Sequence, residues 1–177
     1  MAVTERDLAA SGIAIVPARD DHAEGLIQLI EPIFAEYEGV LFLMEEMPEL
    51  RSIATTFEQH GGQFWCAFRD QQLIGSVGWT PATEGVGVEL KKLYVVKAQR
   101  RHKLGHVLTS RVEVAGRAAG CGFVELWSDV KFDAAHRFYE ARGYRRDGRT
   151  RELGDQSDTV EYYYRLDLDP AGRAEHD

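Results

Sequence analysis

The sequence predicts an α/β (α+β) protein with a mixed, mostly antiparallel central sheet of about seven strands flanked by about four helices. Three observations predict this class. Strand-like and helix-like hydrophobic patterns follow one another in the order β-α-α-β-β-β-α-β-α-β-β. Short polar connections join the middle strands, as antiparallel hairpins require. A strand, a helix and a strand over residues 86–128 predict one parallel pair, because parallel neighbours need a crossover connection.

Two predicted helices follow a first strand in the N-terminal part of the chain. Ile13–Val16 predicts the strand, and Asp21 predicts the cap of a helix whose apolar residues recur at helical spacing. Pro32 lies inside that pattern and should kink or break the helix, because proline removes a backbone hydrogen bond. The second helix follows Pro48 and stops at Gly61–Gly62.

The rest of the chain predicts three strands, a helix, a strand, a helix and a final hairpin. The three strands are Phe64–Phe68, Leu73–Trp79 and Val86–Val96. The later elements are a helix that opens near Leu104, the strand Phe123–Trp127, a helix from Asp133 to Gly143, and a hairpin that starts at Tyr144 and includes the strand Val160–Leu166.

Length and composition limit the class of protein. The 177 residues suit one domain, and the net charge of −8 argues against general nucleic-acid binding. No apolar run approaches the roughly 18 residues of a membrane span. The polar N-terminus and the two cysteines, Cys66 and Cys121, favour a cytoplasmic protein. We expect one domain over residues 12–168, with flexible tails over 1–11 and 169–177.

Positive charge marks the junction between the long strand and the following helix. Between Lys91 and Lys103 there are six cationic residues and no acid. A helix N-terminus presents free amide groups and a positive dipole, so cations here indicate a site for an anion such as a phosphate. Gly105 allows a phosphate to approach the backbone closely. A solvated basic surface is the alternative interpretation.

The same segment resembles the acetyl-CoA signature of the GNAT superfamily of N-acetyltransferases, Arg/Gln-x-x-Gly-x-Gly/Ala. Arg100 and Gly105 occupy its first and last positions, whereas Lys103 replaces the middle glycine. Glu89–Val95 resembles the strand that leads into the signature, and Ala135–Tyr144 resembles the family segment Ala-x-x-x-Tyr-x-x-x-Gly-Phe/Tyr. The order of elements also agrees with the family over nearly the whole chain.

The resemblance implies an acetyl-CoA-dependent N-acetyltransferase that transfers an acetyl group directly to a primary amine. It implies that Tyr139 protonates the departing thiolate and that Glu89 is the general base. The family often has Asn where this chain has Phe132, so a contact to CoA is missing there. The residues expected to bind acetyl-CoA, the acyl-donor substrate, are Leu93, Tyr94, Val95, Arg100, Arg101, His102, Lys103, Leu104, Gly105 and His106.

Alternatives to these roles stay open. Tyr139 also fits a core tyrosine on an amphipathic helix, and Glu89 also fits an acid that faces solvent. The departures at Lys103 and Phe132 keep open a non-catalytic acyl-CoA-binding sensor. A nucleic-acid-binding protein that uses residues 91–117 is a further alternative, which the net charge disfavours.

The acceptor is expected to be a small cationic molecule or a peptide amine, because the first two predicted helices are acidic. Their acids are Glu36, Glu38, Glu45, Glu46 and Glu49. We expect no nucleic-acid or membrane partner, and a homodimer that packs through Val40–Met44 is an open arrangement. His102 and His106 have the spacing of zinc ligands but lack a third ligand, so we expect no metal site.

Overall fold

A computed structural model describes residues 3–169 and contains five α-helices and seven β-strands in that range. The helices are α1 (Glu5–Ala10), α2 (Ala23–Phe34), α3 (Ile53–Gln59), α4 (Leu104–Ala118) and α5 (Asp133–Ala141). The strands are β1 (Ile13–Pro17), β2 (Gln63–Arg69), β3 (Gln72–Pro81), β4 (Gly87–Val95), β5 (Phe123–Asp129), β6 (Arg145–Glu152) and β7 (Val160–Asp167). Short 3-10 helices precede α2, α3 and α4. None of the described helices is long and apolar enough to cross a membrane.

One seven-stranded sheet carries the fold, with the strand order β1-β2-β3-β4-β5-β7-β6. Only β4 and β5 pair in parallel, and α4 is the crossover between them, which confirms the parallel pair predicted over residues 86–128. Their ladder is short, because only Gly87–Glu89 pairs with Phe123–Glu125. Beyond these residues no ladder joins the two strands, so the sheet opens between them.

Helices packed on the sheet form two hydrophobic cores. In one core, Leu108 and Val112 of α4 pack with Val124 of β5. In the other, Ile30 of α2 packs with Phe64 of β2. The amphipathic spacing of the apolar residues in each helix places them against these strands. The predicted mixed, mostly antiparallel sheet with helices around it is therefore confirmed.

Of the flexible tail expected over 1–11, the structure describes residues 3–11. These include α1, in which Thr4 and Asp7 form a reciprocal capping box. Leu8 is buried in the core that contains α4. A helix of six residues shows too little periodicity to stand out in the sequence. The other expected tail, 169–177, lies outside the described residues except for Asp169.

α2 starts and ends differently from the prediction. Its N-cap residue is His22, whose side chain makes no capping bond, and Asp21 instead pairs with Arg19. The helix continues through Pro32 and ends at Phe34. Because Pro32 lies in the last turn, its missing amide removes only one hydrogen bond before the helix stops. α1 is the additional helix that brings the number in the described residues to five, where the sequence predicts about four.

Candidate active site

The opening between β4 and β5 leads into two adjoining cavities. The smaller cavity has a volume of about 280 Å³ and reaches the start of α4. The larger cavity has a volume of about 530 Å³ and reaches the β6–β7 hairpin. The residues that line both cavities are Leu93, Tyr94, Phe132, Ala135 and Tyr139. The two cavities therefore meet where β4 passes the first turns of α5.

β4 is irregular where it passes the cavities. Lys92 has a φ of 53°, and the pairing of β4 with β3 shifts its register between Ser76 and Gly78. The Ser76 hydroxyl donates a hydrogen bond of 2.8 Å to the Lys92 carbonyl and holds this bulge in place. A bulge changes the direction in which the following side chains point. Since no strand pairs with β4 on the β5 side beyond Glu89, this edge of residues 93–95 is open to a ligand, with the Val95 carbonyl already accepting a hydrogen bond from Arg100.

The loop between β4 and α4 offers free amide groups to the smaller cavity. A 3-10 helix covers Lys97–His102, Lys103 adopts the left-handed conformation with a φ of 59°, and α4 begins at Leu104. The amide of Val107 donates to the Lys103 carbonyl, so the preceding amides have no acceptor within α4. No side chain among those that the structure describes caps this end of the helix. Lys103 adopts the left-handed conformation that glycine favours, and the amides at the start of α4 face an anion-binding position.

The residues expected to bind acetyl-CoA differ in whether their side chains reach the smaller cavity. Leu93, Tyr94, Val95, Arg100, Gly105 and His106 line the smaller cavity. The Leu104 side chain is buried in the core, so only its backbone can meet a ligand. Burial and the nearby cations Arg142 and Lys103 lower the pKa of His106, which keeps its ring neutral at pH 7. The side chains of Arg101 and His102 lie outside what the structure describes.

Arg100 is held by an acid at the mouth of the smaller cavity. Its guanidinium donates to both carboxylate oxygens of Glu36, at 2.8 and 2.7 Å. Its Nε donates to the Val95 carbonyl at 3.1 Å. These contacts fix the guanidinium between the segment after α2 and the end of β4. A phosphate that binds Arg100 would share it with Glu36.

Glu89 and the lysines beside it line the larger cavity. Glu89 is only 9% exposed, which removes the alternative of an acid that simply faces solvent. The Lys91 ammonium lies 3.6 Å from its carboxylate. Lys92 pairs with Glu49 at 2.5 Å. Half of the basic run therefore lies beside acids: Lys91 beside an acid of its own strand, and Lys92 and Arg100 beside acids from other elements.

Tyr139 lies at the junction of the two cavities. It is 6% exposed and packs beside the rings of Tyr144 and Tyr164, with ring centroids 5.7 and 5.9 Å away. Burial, reinforced by Tyr164, raises the pKa of Tyr139 well above its ordinary value, so the phenol stays protonated at neutral pH. The hydroxyls of Tyr144 and Tyr164 both donate to glutamates. By contrast, none of the described side chains bonds to the Tyr139 hydroxyl, which is available to a ligand.

Phe132 belongs to an aromatic cluster that forms part of the wall of both cavities. Its ring centroid lies 4.7 Å from that of Tyr37 and 6.0 Å from that of Phe34. Phe34 in turn contacts Tyr94 of β4 at 5.9 Å. The position that is often Asn in the family is therefore apolar here and joins the end of α2 to the start of α5.

The larger cavity is acidic, and half of its acids come from β5, β7 and the loop that joins β6 to β7. Its acids are Glu46, Glu49, Glu89, Asp129, Asp155 and Glu161, and its cations are Lys91, Lys92 and Arg151. Burial raises the pKa of Glu161, and the charges of Asp129 and Glu89 act in the same direction. Glu89, Asp129 and Glu161 lie on β4, β5 and β7, so the strand order brings these three carboxylates together.

Two loops bound the larger cavity and are tied to each other. The first loop, residues 35–47, connects α2 to the segment before α3, and the second, residues 153–159, connects β6 to β7. The Leu41 amide donates to the Ser157 hydroxyl at 2.9 Å. The Gln156 amide donates to the Glu46 carboxylate at 2.8 Å. The apolar stretch Val40–Met44 therefore forms part of this rim, and Leu41 is 46% exposed there.

Comparisons with known proteins identify this arrangement. The model of the acetyltransferase (GNAT) family matches residues 27–144. A GNAT-family acetyltransferase from Staphylococcus aureus Mu50 is 26% identical, with a TM-score of 0.74 over 89% of this chain and 99% of that protein. The yncA protein of Salmonella typhimurium, solved with its cofactor acetyl-CoA, is 14% identical and shares the fold, with a TM-score of 0.67 over 93% of this chain and 98% of its own.

A curated relative agrees with these matches. "Probable N-acetyltransferase 14" of Xenopus tropicalis is 26% identical over 129 residues, which is 72% of this chain. The match spans 63% of that relative's length. The family model covers more than half of this chain, and it includes the opening between β4 and β5, the start of α4 and Tyr139. The chain belongs to the GNAT family of acetyltransferases.

Proposed function

We propose that this chain is an acetyl-CoA-dependent N-acetyltransferase that acts on a primary amine of a small cationic molecule or a peptide. The observation that carries the proposal is the meeting of two cavities of different character at Tyr139. The smaller cavity suits a phosphate-bearing acyl donor, and the larger, acidic cavity suits a cationic acceptor. Direct transfer requires that the two substrates reach one point from different sides.

The smaller cavity fits the donor in two respects. The unpaired edge of β4 over residues 93–95 offers backbone groups to the extended, amide-containing arm of CoA. The amides at the start of α4 can bind the pyrophosphate, with the positive end of the helix dipole adding to the attraction. When bound, acetyl-CoA supplies the acetyl group as a thioester.

Glu89 and Tyr139 would then move the protons of the reaction. Glu89, in the acceptor cavity, takes a proton from the attacking amine, directly or through a water molecule. Tyr139 donates its phenolic proton to the sulfur as the bond between carbon and sulfur breaks. The raised pKa of Tyr139 keeps that proton in place until the thiolate forms. No covalent intermediate with the enzyme is required.

A thiol-release assay with acetyl-CoA and a panel of primary amines tests the proposal, beside thermal melts with CoA alone. We expect CoA to raise the melting temperature and at least one amine to release CoA above the rate of hydrolysis. A shift with CoA but no turnover on a broad panel would favour the non-catalytic sensor. The absence of any shift would refute donor binding in the smaller cavity.

A further inference from the structure

One buried carboxylate in the larger cavity has no role in the proton transfers proposed above. Asp129 ends β5, lines the cavity and is only 6% exposed. Its Oδ1 accepts a hydrogen bond of 2.9 Å from the Lys131 amide, in the turn that leads to α5. Among the side chains that the structure describes, none donates a hydrogen bond to its Oδ2 or places a cation beside it. A carboxylate that is largely removed from solvent is costly to keep charged without a counterion, and a cation in the cavity would reduce that cost.

A second acid lies directly opposite Asp129. The ladder between β5 and β7 pairs Asp129 with Glu161, and side chains directly opposite one another have Cβ atoms about 4.5–5.5 Å apart. Like charges at that distance repel each other. The Arg151 guanidinium binds Glu161 at 2.5 Å and neutralises one charge of the pair. The charge of Asp129 remains.

The other cations of the cavity do not neutralise Asp129 either. Lys91 contacts Glu89 and Lys92 contacts Glu49, so each of these cations already has its own acid. The two acids from the surrounding loops are less buried and accept backbone hydrogen bonds. Among the residues described, Asp129 is thus the buried carboxylate of this cavity that lacks a cation.

We propose that the acceptor carries a second ammonium group and that Asp129 binds it while the first amine reacts beside Tyr139. This inference rests on the proposed acetyltransferase function and narrows its acceptor to the class of small aliphatic diamines. The reacting nitrogen must be neutral, whereas the nitrogen at Asp129 stays charged, so the two ends of one molecule meet different surroundings. Trp127 lines the same cavity and offers apolar surface to the methylene chain between them.

Matched pairs of acceptors provide the test. Each diamine from 1,3-diaminopropane to 1,6-diaminohexane is compared with the amino alcohol of the same length, in which a hydroxyl replaces the second ammonium group. Thiol release from acetyl-CoA is measured with both. We expect kcat/KM for the best diamine to exceed that of its amino alcohol by roughly tenfold to a hundredfold, the range for a hydrogen bond to a charged group.

The variant Asp129→Asn should remove this preference. Asn keeps an oxygen that accepts from the Lys131 amide, so the turn is preserved and only the charge is lost. We expect kcat/KM to fall by roughly tenfold to a hundredfold for the diamine and by less than about threefold for the amino alcohol. Asp167→Asn is the control, because Asp167 ends β7, the strand next to β5, bonds to Arg165 and lines neither cavity. It should leave both values unchanged.

The outcomes separate this inference from the proposed function. Wild-type turnover that is equal for diamines and amino alcohols would overturn the diamine class and leave the acetyltransferase function standing. An equal loss for both acceptors in Asp129→Asn would show a structural role and would also overturn it. Absence of turnover with every amine would remove the proposed function itself. Thermal melts of the wild type add a readout without variants, since 1,4-diaminobutane should raise the melting temperature more than 4-amino-1-butanol.

Discussion

Replacing Tyr139 by Phe should separate the chemistry of the site from the stability of the fold. The hydroxyl has no hydrogen-bond partner in the described part of the chain, so its loss leaves none of the described buried groups unpaired. The ring remains and keeps its packing beside Tyr144 and Tyr164. We therefore expect the free energy of unfolding to change by less than about 1 kcal/mol. The rate of acetyl transfer should fall by about a hundredfold to ten-thousandfold, the usual contribution of a general acid, and the loss should appear in kcat.

Tyr164→Phe is the matched control, with the opposite expected result. Its hydroxyl donates to Glu140 at 3.2 Å and lines neither cavity. This variant should lose about 0.5–1.5 kcal/mol of stability and keep kcat within about threefold. The assay is thiol release under saturating acetyl-CoA, beside urea denaturation of both variants. If Tyr139→Phe kept the wild-type rate, or if the two variants lost rate equally, the role of Tyr139 as the acid would be refuted.

Three further predictions concern the fold around the site. Lys103→Gly should raise the free energy of unfolding, measured by urea denaturation, by up to about 1 kcal/mol, because glycine adopts the left-handed conformation without strain. A destabilised variant would contradict this prediction. Glu113→Ala should cost about 3–5 kcal/mol in the same assay, since it leaves the largely buried Arg142 guanidinium without its carboxylate and the Tyr144 hydroxyl without its acceptor. A loss below about 1 kcal/mol would show that solvent replaces the carboxylate. Burial raises the pKa values of Tyr94, Tyr139 and Tyr144 above that of the unfolded chain, so their contribution to stability is complete below about pH 10 and is lost as the pH rises further. Thermal melts above that pH should show tyrosinate absorbance appearing together with unfolding, and tyrosinate forming well before unfolding would contradict the burial.

The order of strands and helices could be predicted from the sequence because it depends on local periodicity. The strand Phe123–Trp127 was predicted within two residues of its observed end, since its pattern and the flanking glycines are local signals. The predicted start of α4 at Leu104 also agrees with the structure. The predicted cap of α2 is wrong, because the Asp21 carboxylate pairs with Arg19 and does not accept hydrogen bonds from the α2 amides.

The charge environment of the candidate site could not be predicted in the same way. Asp129 and Glu161 are directly opposite each other only because β7 lies next to β5. The ion pair between Glu36 and Arg100 joins segments that are distant in sequence. A sequence pattern reports the residue types and their order. It does not report which cations form ion pairs with which acids in the folded chain. Those ion pairs decide which acid remains available to a ligand.

The contact between the loops 35–47 and 153–159 has a consequence for redesign of the acceptor. Their two hydrogen bonds, Leu41 to Ser157 and Gln156 to Glu46, each join one loop to the other. A replacement of either loop alone would leave a donor or an acceptor of the other without its partner. New acceptor specificity should therefore be selected from libraries in which both loops vary together, and substitutions in the two loops should show strong epistasis.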